Sequence, residues 1–157
     1  MGIKPKFGSG VVAAQVNLFG ERLEKAIVFA LSAFGEELAR YAKERHNYQD
    51  QTGNLTNSIG YVIVKEGKLV KSGGEIQPGE GFEEMLKVAK QMASSLKNSF
   101  SLLIVAGMNY AAYVESKGYN VIYPAELKAK RDFPKVIERI KETANKKSKE
   151  MFGIEVL

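Results

Sequence analysis

The sequence DQTGNLTNSIGYVI, from Asp50 to Ile63, separates a long helical pattern from the most strand-like run in the chain. Thr52 can accept a hydrogen bond from the backbone of a short turn, and Gly53 permits a sharp change of direction. Apolar side chains further along fall on one side, where they can enter a core. We therefore interpret the stretch as a corner that fixes the angle between a helix and a sheet. The predicted corner consists of Thr52, Gly53, Asn54, Leu55, Ser58 and Ile59.

A metal site in this stretch is not expected. The polar residues from Asp50 onward alternate as they do at the start of a calcium-binding loop. However, Leu55 stands where that loop needs glycine, and Tyr61 stands where it needs a bidentate glutamate. We therefore expect Asp50→Ala to have little effect. Gly53→Val or Leu55→Asp, by contrast, is expected to disrupt folding or assembly.

A long helix is predicted before the corner. Apolar residues recur at spacings of three and four from Val11 to about Arg45, with charged residues between them. Ser9 is a candidate N-cap, and Gly20 marks a candidate kink or break. A continuous helix would be roughly 50 Å long, which exceeds the diameter of a domain of this size. Part of it is therefore expected to pack against something else, and residues 1–10 are predicted to be a flexible arm.

The chain after the corner alternates strand and helix patterns. Its predicted elements are a β-hairpin with strands at Tyr61–Lys65 and Lys68–Lys71, a loop over 73–81, a helix over Phe82–Leu96, and a central strand over Phe100–Met108. The next are a short helix over Tyr110–Glu115, ending at Gly118, and a strand over Tyr119–Tyr123. A basic helix begins at Ala125 and restarts near Asp132 and Pro134, and an apolar tail over 150–157 is expected to lie against a surface such as that of a neighbouring subunit.

These patterns predict one α+β domain over residues 1–157, with the long N-terminal helix and further helices packed on a small antiparallel β-sheet of about four strands.

Composition and motifs point away from catalysis. The chain has 45% apolar and 26% charged residues, which is ordinary for a soluble globular protein, and it has no cysteine. Its longest apolar run, Ala26–Phe34, is far shorter than the roughly 20 residues that span a bilayer, and no secretory signal is recognised. The single histidine, His46, is expected to be solvated or to cap a helix. We predict an intracellular or intracellularly assembled protein with no catalytic residues, no metal ligands, no cofactor and no membrane association.

A cluster of tyrosines, Tyr110, Tyr113, Tyr119 and Tyr123, is the remaining unusual feature. Tyrosine combines a large apolar ring with a polar tip, which suits both the edge of a core and a protein interface. Both interpretations stay open at this point.

Two segments together resemble a known family. QTGNLTNSIGYVIV (Gln51–Val64) and GMNYAAYVESKGYNVI (Gly107–Ile122) are similar to segments of the tail-component proteins of tailed bacteriophages and prophages, which are small head-to-tail joining or tail-completion proteins. The matching residues are Thr52, Gly53, Asn54, Leu55, Ser58 and Ile59 in the first segment and Tyr110, Ala111, Tyr113, Val114, Glu115 and Gly118 in the second. Thr56 stands where a basic residue is commoner in the family, and Ser116 and Lys117 stand where a bulky apolar residue is common.

The resemblance implies a non-enzymatic structural protein of the virion neck or tail. Such a protein works as a homo-oligomeric ring that contacts connector, neck and tail proteins. It would lie close to the phage DNA without sequence-specific binding, and it would occupy the host cytoplasm during assembly. The candidate interface residues are Tyr110, Tyr113, Glu115 and Tyr119. Residues 73–99 have no counterpart in the resemblance and are interpreted as an insertion that contains a helix.

The charge distribution keeps a second interpretation open. The formal net charge is +5, and 9 of the 23 basic residues follow Lys117. Interspersed acids indicate a solvated helix face, but a basic nucleic-acid-binding accessory protein is the alternative. Binding that weakens steeply with salt would distinguish it.

Overall fold

A computed structural model describes residues 8–74, 76–97, 99–155 and 157. The helices are α1 (Ser9–Glu44), α2 (Asn54–Asn57), α3 (Glu80–Ala93), α4 (Ala111–Ser116) and α5 (Tyr123–Phe152), and the strands are β1 (Ile59–Lys65), β2 (Lys68–Gly73) and β3 (Ser101–Ala106). The predicted α+β class is confirmed, although the sheet has three strands rather than about four.

The first helix follows the predicted pattern and continues through Gly20 without a break. Gly8 occupies the N-cap position in an extended conformation, so Ser9 is the first helical residue and not the cap that the sequence suggested. Residues 9 and 10 of the predicted flexible arm are therefore helical. Its residues 1–7 lie outside the described part of the chain. The C-terminal half of α1 is amphipathic, with Leu31 and Leu38 buried on the side that faces the sheet.

The sheet is antiparallel in the order β2-β1-β3. The β1–β2 hairpin closes through Glu66 and Gly67, whose φ angles are 50° and 83°. Two positive φ values in a two-residue loop are typical of a type I′ turn, which matches the right-handed twist of the strands. The predicted hairpin is thus confirmed, with β1 beginning two residues earlier, at Ile59.

Helices cover both faces of the central strand. Tyr61 and Ile63 pack beside Leu31 of α1, whereas Val62 and Val64 pack against α3. Alternate residues of a strand point to opposite faces, so burial on both faces requires a continuous apolar run such as IGYVIV. The segment 73–99, interpreted above as an insertion, therefore supplies α3 as a layer of the core; its residues 75 and 98 lie outside the described part.

Two expectations about the C-terminal part were wrong. Residues 119–122 form no strand, because the backbone N–H groups from Val121 to Tyr123 donate to Oε1 of Glu115 instead of to another strand. The helix α5 begins at Tyr123 and runs through Pro134 without a restart. Pro134 and Lys130, whose carbonyl loses its helical partner there, are both exposed, so water can satisfy that carbonyl.

The C-terminal tail folds against its own helix. Gly153 ends α5 in a left-handed conformation with a φ angle of 71°. The Ser148 hydroxyl donates to the carbonyl of Ile154 at 2.6 Å, and Asn145 exchanges two hydrogen bonds of 2.5 and 2.8 Å with the backbone of Leu157. Residues 150–152 of the predicted tail thus belong to α5, and Ile154 and Leu157 bond back to that helix, although Ile154 remains exposed; residue 156 lies outside the described part.

Candidate functional site

The corner combines a left-handed glycine with two side-chain acceptors. Gly53, with a φ angle of 75°, is the N-cap residue of α2 and has no side chain to cap it. Thr52 Oγ1 accepts a hydrogen bond from the backbone of Asn54 at 3.3 Å, as predicted, and Asp50 Oδ2 accepts one from the backbone of Thr56 at 2.7 Å. These are two of the donors that the first turn of a helix leaves unpaired. The expectation that Asp50→Ala has little effect is therefore revised, because Asp50 caps α2.

The apolar residues of the corner enter the main core. Leu55 and Ile59 are buried together with Phe34 and Leu38 of α1, as the sequence predicted. Tyr48, which the sequence analysis did not single out, is buried in the same cluster, and its hydroxyl shares a hydrogen bond of 3.2 Å with Thr56 Oγ1. Burial raises the pKa of Tyr48. The corner thus anchors both to α1 and to the chain that follows α1.

Ser58 joins the corner to the second segment of the resemblance. Its fully buried hydroxyl donates to the carbonyl of Leu55 at 2.8 Å and accepts from the backbone N–H of Met108 at 3.3 Å. The backbone N–H of Gly107 also donates to the carbonyl of Ser58 at 3.1 Å. A Cβ atom at Gly107 would overlap the backbone of Met85 in α3, so this position requires glycine. Two segments about 50 residues apart in sequence therefore form one packed unit.

The corner is also tied to the segment before α3. The side-chain amide of Asn54 donates to Oε2 of Glu80 at 2.9 Å. Asn57 donates to the carbonyl of Gln77 at 3.0 Å and accepts from its backbone N–H at 2.8 Å. No sequence signal identified Asn57, because its partner lies 20 residues away in a loop.

The tyrosines after β3 are exposed. The exposed fractions are 38% for Tyr110, 64% for Tyr113, 45% for Tyr119 and 51% for Tyr123. Nζ of Lys117 lies 5.2 Å from the centre of the Tyr113 ring, a distance typical of a cation–π contact. Partial burial raises the pKa of Tyr110, and a hydrogen bond with Thr52 opposes the shift. These exposures favour the interface interpretation over the edge of a core.

Glu115 has a different role from the tyrosines around it. Its Oε1 atom accepts from the backbone N–H groups of Val121, Ile122 and Tyr123 at 3.3, 3.1 and 2.7 Å. A carboxylate at the first turn of a helix also interacts favourably with the helix dipole. Glu115 therefore positions α5 relative to α4. Of the four candidate interface residues, it is the one whose side chain stabilises the fold.

A basic pocket lies between the end of α1 and the start of α5. It is lined by Tyr41, Arg45, Asn120, Tyr123, Pro124, Leu127, Lys128 and Arg131. The Arg45 guanidinium lies 5.2 Å from the centre of the Tyr41 ring and makes no ion pair with an acid in the described part of the chain. Lys128 and Arg131 instead share Asp132, and their hydrogen bonds hold the pKa of Asp132 well below its usual range. Cations beside aromatic rings can bind a phosphate-bearing ligand.

An apolar groove of about 600 Å³ separates parts of α1 and α5. The two helices touch at the ends of the groove, where Phe34 stacks on Phe133 with ring centres 6.1 Å apart and Phe19 meets Phe152 at 5.5 Å. These contacts run in opposite directions along the two helices, so the pair is antiparallel. No local sequence pattern indicates this groove, because it depends on the pairing of two helices that are far apart in sequence.

The described residues show no arrangement that would hold a metal ion or cross a membrane. No group of three or more histidine or acidic side chains comes together within the described ranges. His46 stacks on Tyr48 with ring centres 4.6 Å apart. No helix in that part of the chain combines the length and the apolar character that a membrane span requires.

Comparisons of the chain with protein-family models, with curated proteins and with solved structures find no match.

Proposed function

We propose that this protein is a structural virion protein of a tailed phage or prophage that joins or completes the tail at the head–tail interface. In this proposal, identical subunits form a ring in the neck or tail, contact connector and tail proteins, and lie close to the phage DNA without reading its sequence. The protein acts by binding and not by catalysis. It occupies the host cytoplasm until it is incorporated into the virion.

The observation that carries the proposal is the bond between the two segments of the resemblance. Ser58 links the corner to Gly107 and Met108, so the two segments that resemble those of tail-component proteins form one packed unit. The outer surface of this unit carries the exposed rings of Tyr110, Tyr113 and Tyr119. Tyrosine is enriched at protein interfaces, where its ring supplies contact area at a low cost in side-chain entropy.

The proposal is tested by assembly and binding of the purified protein. We expect size-exclusion chromatography with mass detection to give a multiple of the 17.3 kDa chain, negative-stain images to show rings, and the protein to bind purified connector or tail tube. A Tyr113→Ala, Tyr119→Ala double variant should keep its fold and lose binding to the connector or tail tube. A strict monomer at high concentration that also fails to bind connector and tail tube would exclude the proposed function.

A nucleic-acid-binding accessory protein is the second candidate, and the basic pocket favours it. Arg45 beside Tyr41 could hold a phosphate or stack on a base, with Lys128 and Arg131 close by. Much of the remaining charge on α5 is paired, as in Lys130 with Glu126. Lys128 and Arg131 are themselves paired with Asp132, so Arg45, at the end of α1, is the cation of the pocket that this function needs most.

Titration of the protein with DNA at two salt concentrations separates the two functions. Binding through phosphates weakens steeply with salt, whereas ring assembly through apolar surfaces does not. Arg45→Ala should weaken DNA binding if the pocket holds the phosphate. Lys25→Ala, which removes an exposed cation from the first half of α1 outside both pockets, is the control.

A further inference from the structure

The first ten residues of α1, Ser9–Leu18, form a largely apolar helical segment that no other residue in the described part of the chain covers. From Gly8 to Gly20 the sequence has no charged residue, and all residues of the helix from Ser9 to Leu18 are exposed. Valine, alanine and leucine occupy positions all round the helix, and Ser9, Gln15 and Asn17 are the uncharged polar residues among them. A helix that is apolar all round is normally buried. This segment is therefore expected to be covered by another molecule.

The antiparallel pairing of α1 with α5 explains why the segment is exposed. Phe19 meets Phe152 at the last residue of α5, after which Gly153 turns the chain back. Residues 9–18 extend beyond this point by about 15 Å, at 1.5 Å per residue. They belong to the same continuous helix that lines the groove, so the chain cannot fold them back into it.

The groove between α1 and α5 is a matching acceptor surface. Its α1 side is lined by the small side chains of Ala26, Ala30 and Ala33, which leave room beside Val136 and Ile140 of α5. It extends roughly 22 Å along α1 from Phe19 to Phe34, which is longer than the projecting segment. The exposed side chains of Arg22, Glu37, Arg139 and Lys147 also line the groove, and an uncharged helix places no further charge against them.

The chain therefore has both an exposed apolar helical segment and an apolar groove into which such a segment can pack. The two surfaces differ, and they cannot meet within one copy. Contacts between two different faces of identical subunits are heterologous, and they close into rings when the rotation between neighbours permits. A second copy of this chain is the occupant that fits both surfaces at once.

We propose that residues 10–19 of α1 in one subunit pack into the groove between α1 and α5 of the next subunit. This proposal rests on the ring assembly proposed above and identifies the contact that builds it. The exposed tyrosines then remain available for the connector or the tail.

Disulfide cross-linking tests this contact directly, because the natural chain contains no cysteine. Val16 lies on the projecting segment, and Thr143 is an exposed residue that lines the groove. We expect the Val16→Cys, Thr143→Cys double variant to form a ladder of covalent multimers on oxidation. Each of the two single variants should form no covalent multimer when oxidised alone. When they are mixed, they should form covalent heterodimers. Val16→Cys combined with Lys90→Cys on α3 is the control and should give no ladder.

A charge substitution supplies a readout that does not depend on cysteine geometry. Val16→Asp should leave the fold intact, since Val16 is exposed in the subunit, and should weaken subunit association about tenfold or more. Gln91→Asp, an exposed position on α3, should leave the oligomer unchanged.

The outcomes separate this contact from the proposed function. A stable oligomer that neither cross-links between positions 16 and 143 nor responds to Val16→Asp would overturn the contact and leave the ring assembly standing. A monomer at every concentration would overturn both. Loss of binding to a neck protein or to lipid vesicles in Val16→Asp, with the oligomer intact, would assign the segment to that partner and overturn the contact.

Discussion

The substitution Ser58→Ala tests whether the corner holds the two segments of the resemblance together. It removes the buried hydroxyl and leaves the backbone bond from Gly107 to Ser58 in place. The N–H of Met108 then loses its acceptor in a buried site, which costs about 1–3 kcal/mol. For a chain of this length, that cost corresponds to a fall in the melting temperature of roughly 2–12 °C.

Ser94→Ala is a closely matched control for Ser58→Ala. In both serines the hydroxyl donates to the carbonyl three residues earlier, at 2.8 Å for Ser58 and 2.9 Å for Ser94. Ser94 is exposed, so its substitution should change the free energy of unfolding by less than about 0.5 kcal/mol. Urea titrations of both variants by circular dichroism, at one protein concentration, give the comparison. Equal effects of the two substitutions would refute the joining role of Ser58.

Three further substitutions test the neighbouring contacts. Gly107→Ala places a Cβ atom against the backbone of Met85 and should cost about 3 kcal/mol or leave no folded protein; a fully soluble variant with an unchanged melting temperature would contradict this. Asp50→Ala removes the acceptor of the Thr56 N–H and should cost about 1 kcal/mol in a urea titration, with Asp50→Asn losing less. Glu115→Ala should cost about 1–2 kcal/mol and speed amide exchange at the start of α5, whereas Glu115→Gln recovers part of the loss.

The elements with strong periodicity could be predicted from the sequence. The helical spacing in α1 and α3, the turn at Glu66 and Gly67, and the apolar run of β3 each reflect local interactions or burial on known faces. The tyrosine segment YNVIY was predicted as a strand because its residues favour strands. Its backbone donors are instead taken by the carboxylate of Glu115, and no local pattern reports such a tertiary acceptor.

The candidate site divides in the same way. Gly53 and Leu55 could be assigned from the turn and from the apolar spacing alone. The role of Asp50 was missed, because its partner is a backbone N–H six residues later, and the bond between Ser58 and Met108 was missed because it spans 50 residues. The uncharged run from Gly8 to Gly20 was visible, but its exposure depends on where α5 ends.

The contacts of the corner determine which substitutions can report on function. Three residues connect the corner to other parts of the fold: Ser58 to the residues after β3, Asn54 to Glu80, and Asn57 to the loop before α3. Changes at any of them therefore alter several layers of the fold at once. Loss of assembly in such variants would not distinguish a contact surface from a damaged core. Tyr113 and Tyr119 carry exposed rings, so they can be replaced with the fold preserved. A specific test of the proposed function must therefore use these tyrosines and the projecting segment of α1, residues 9–18.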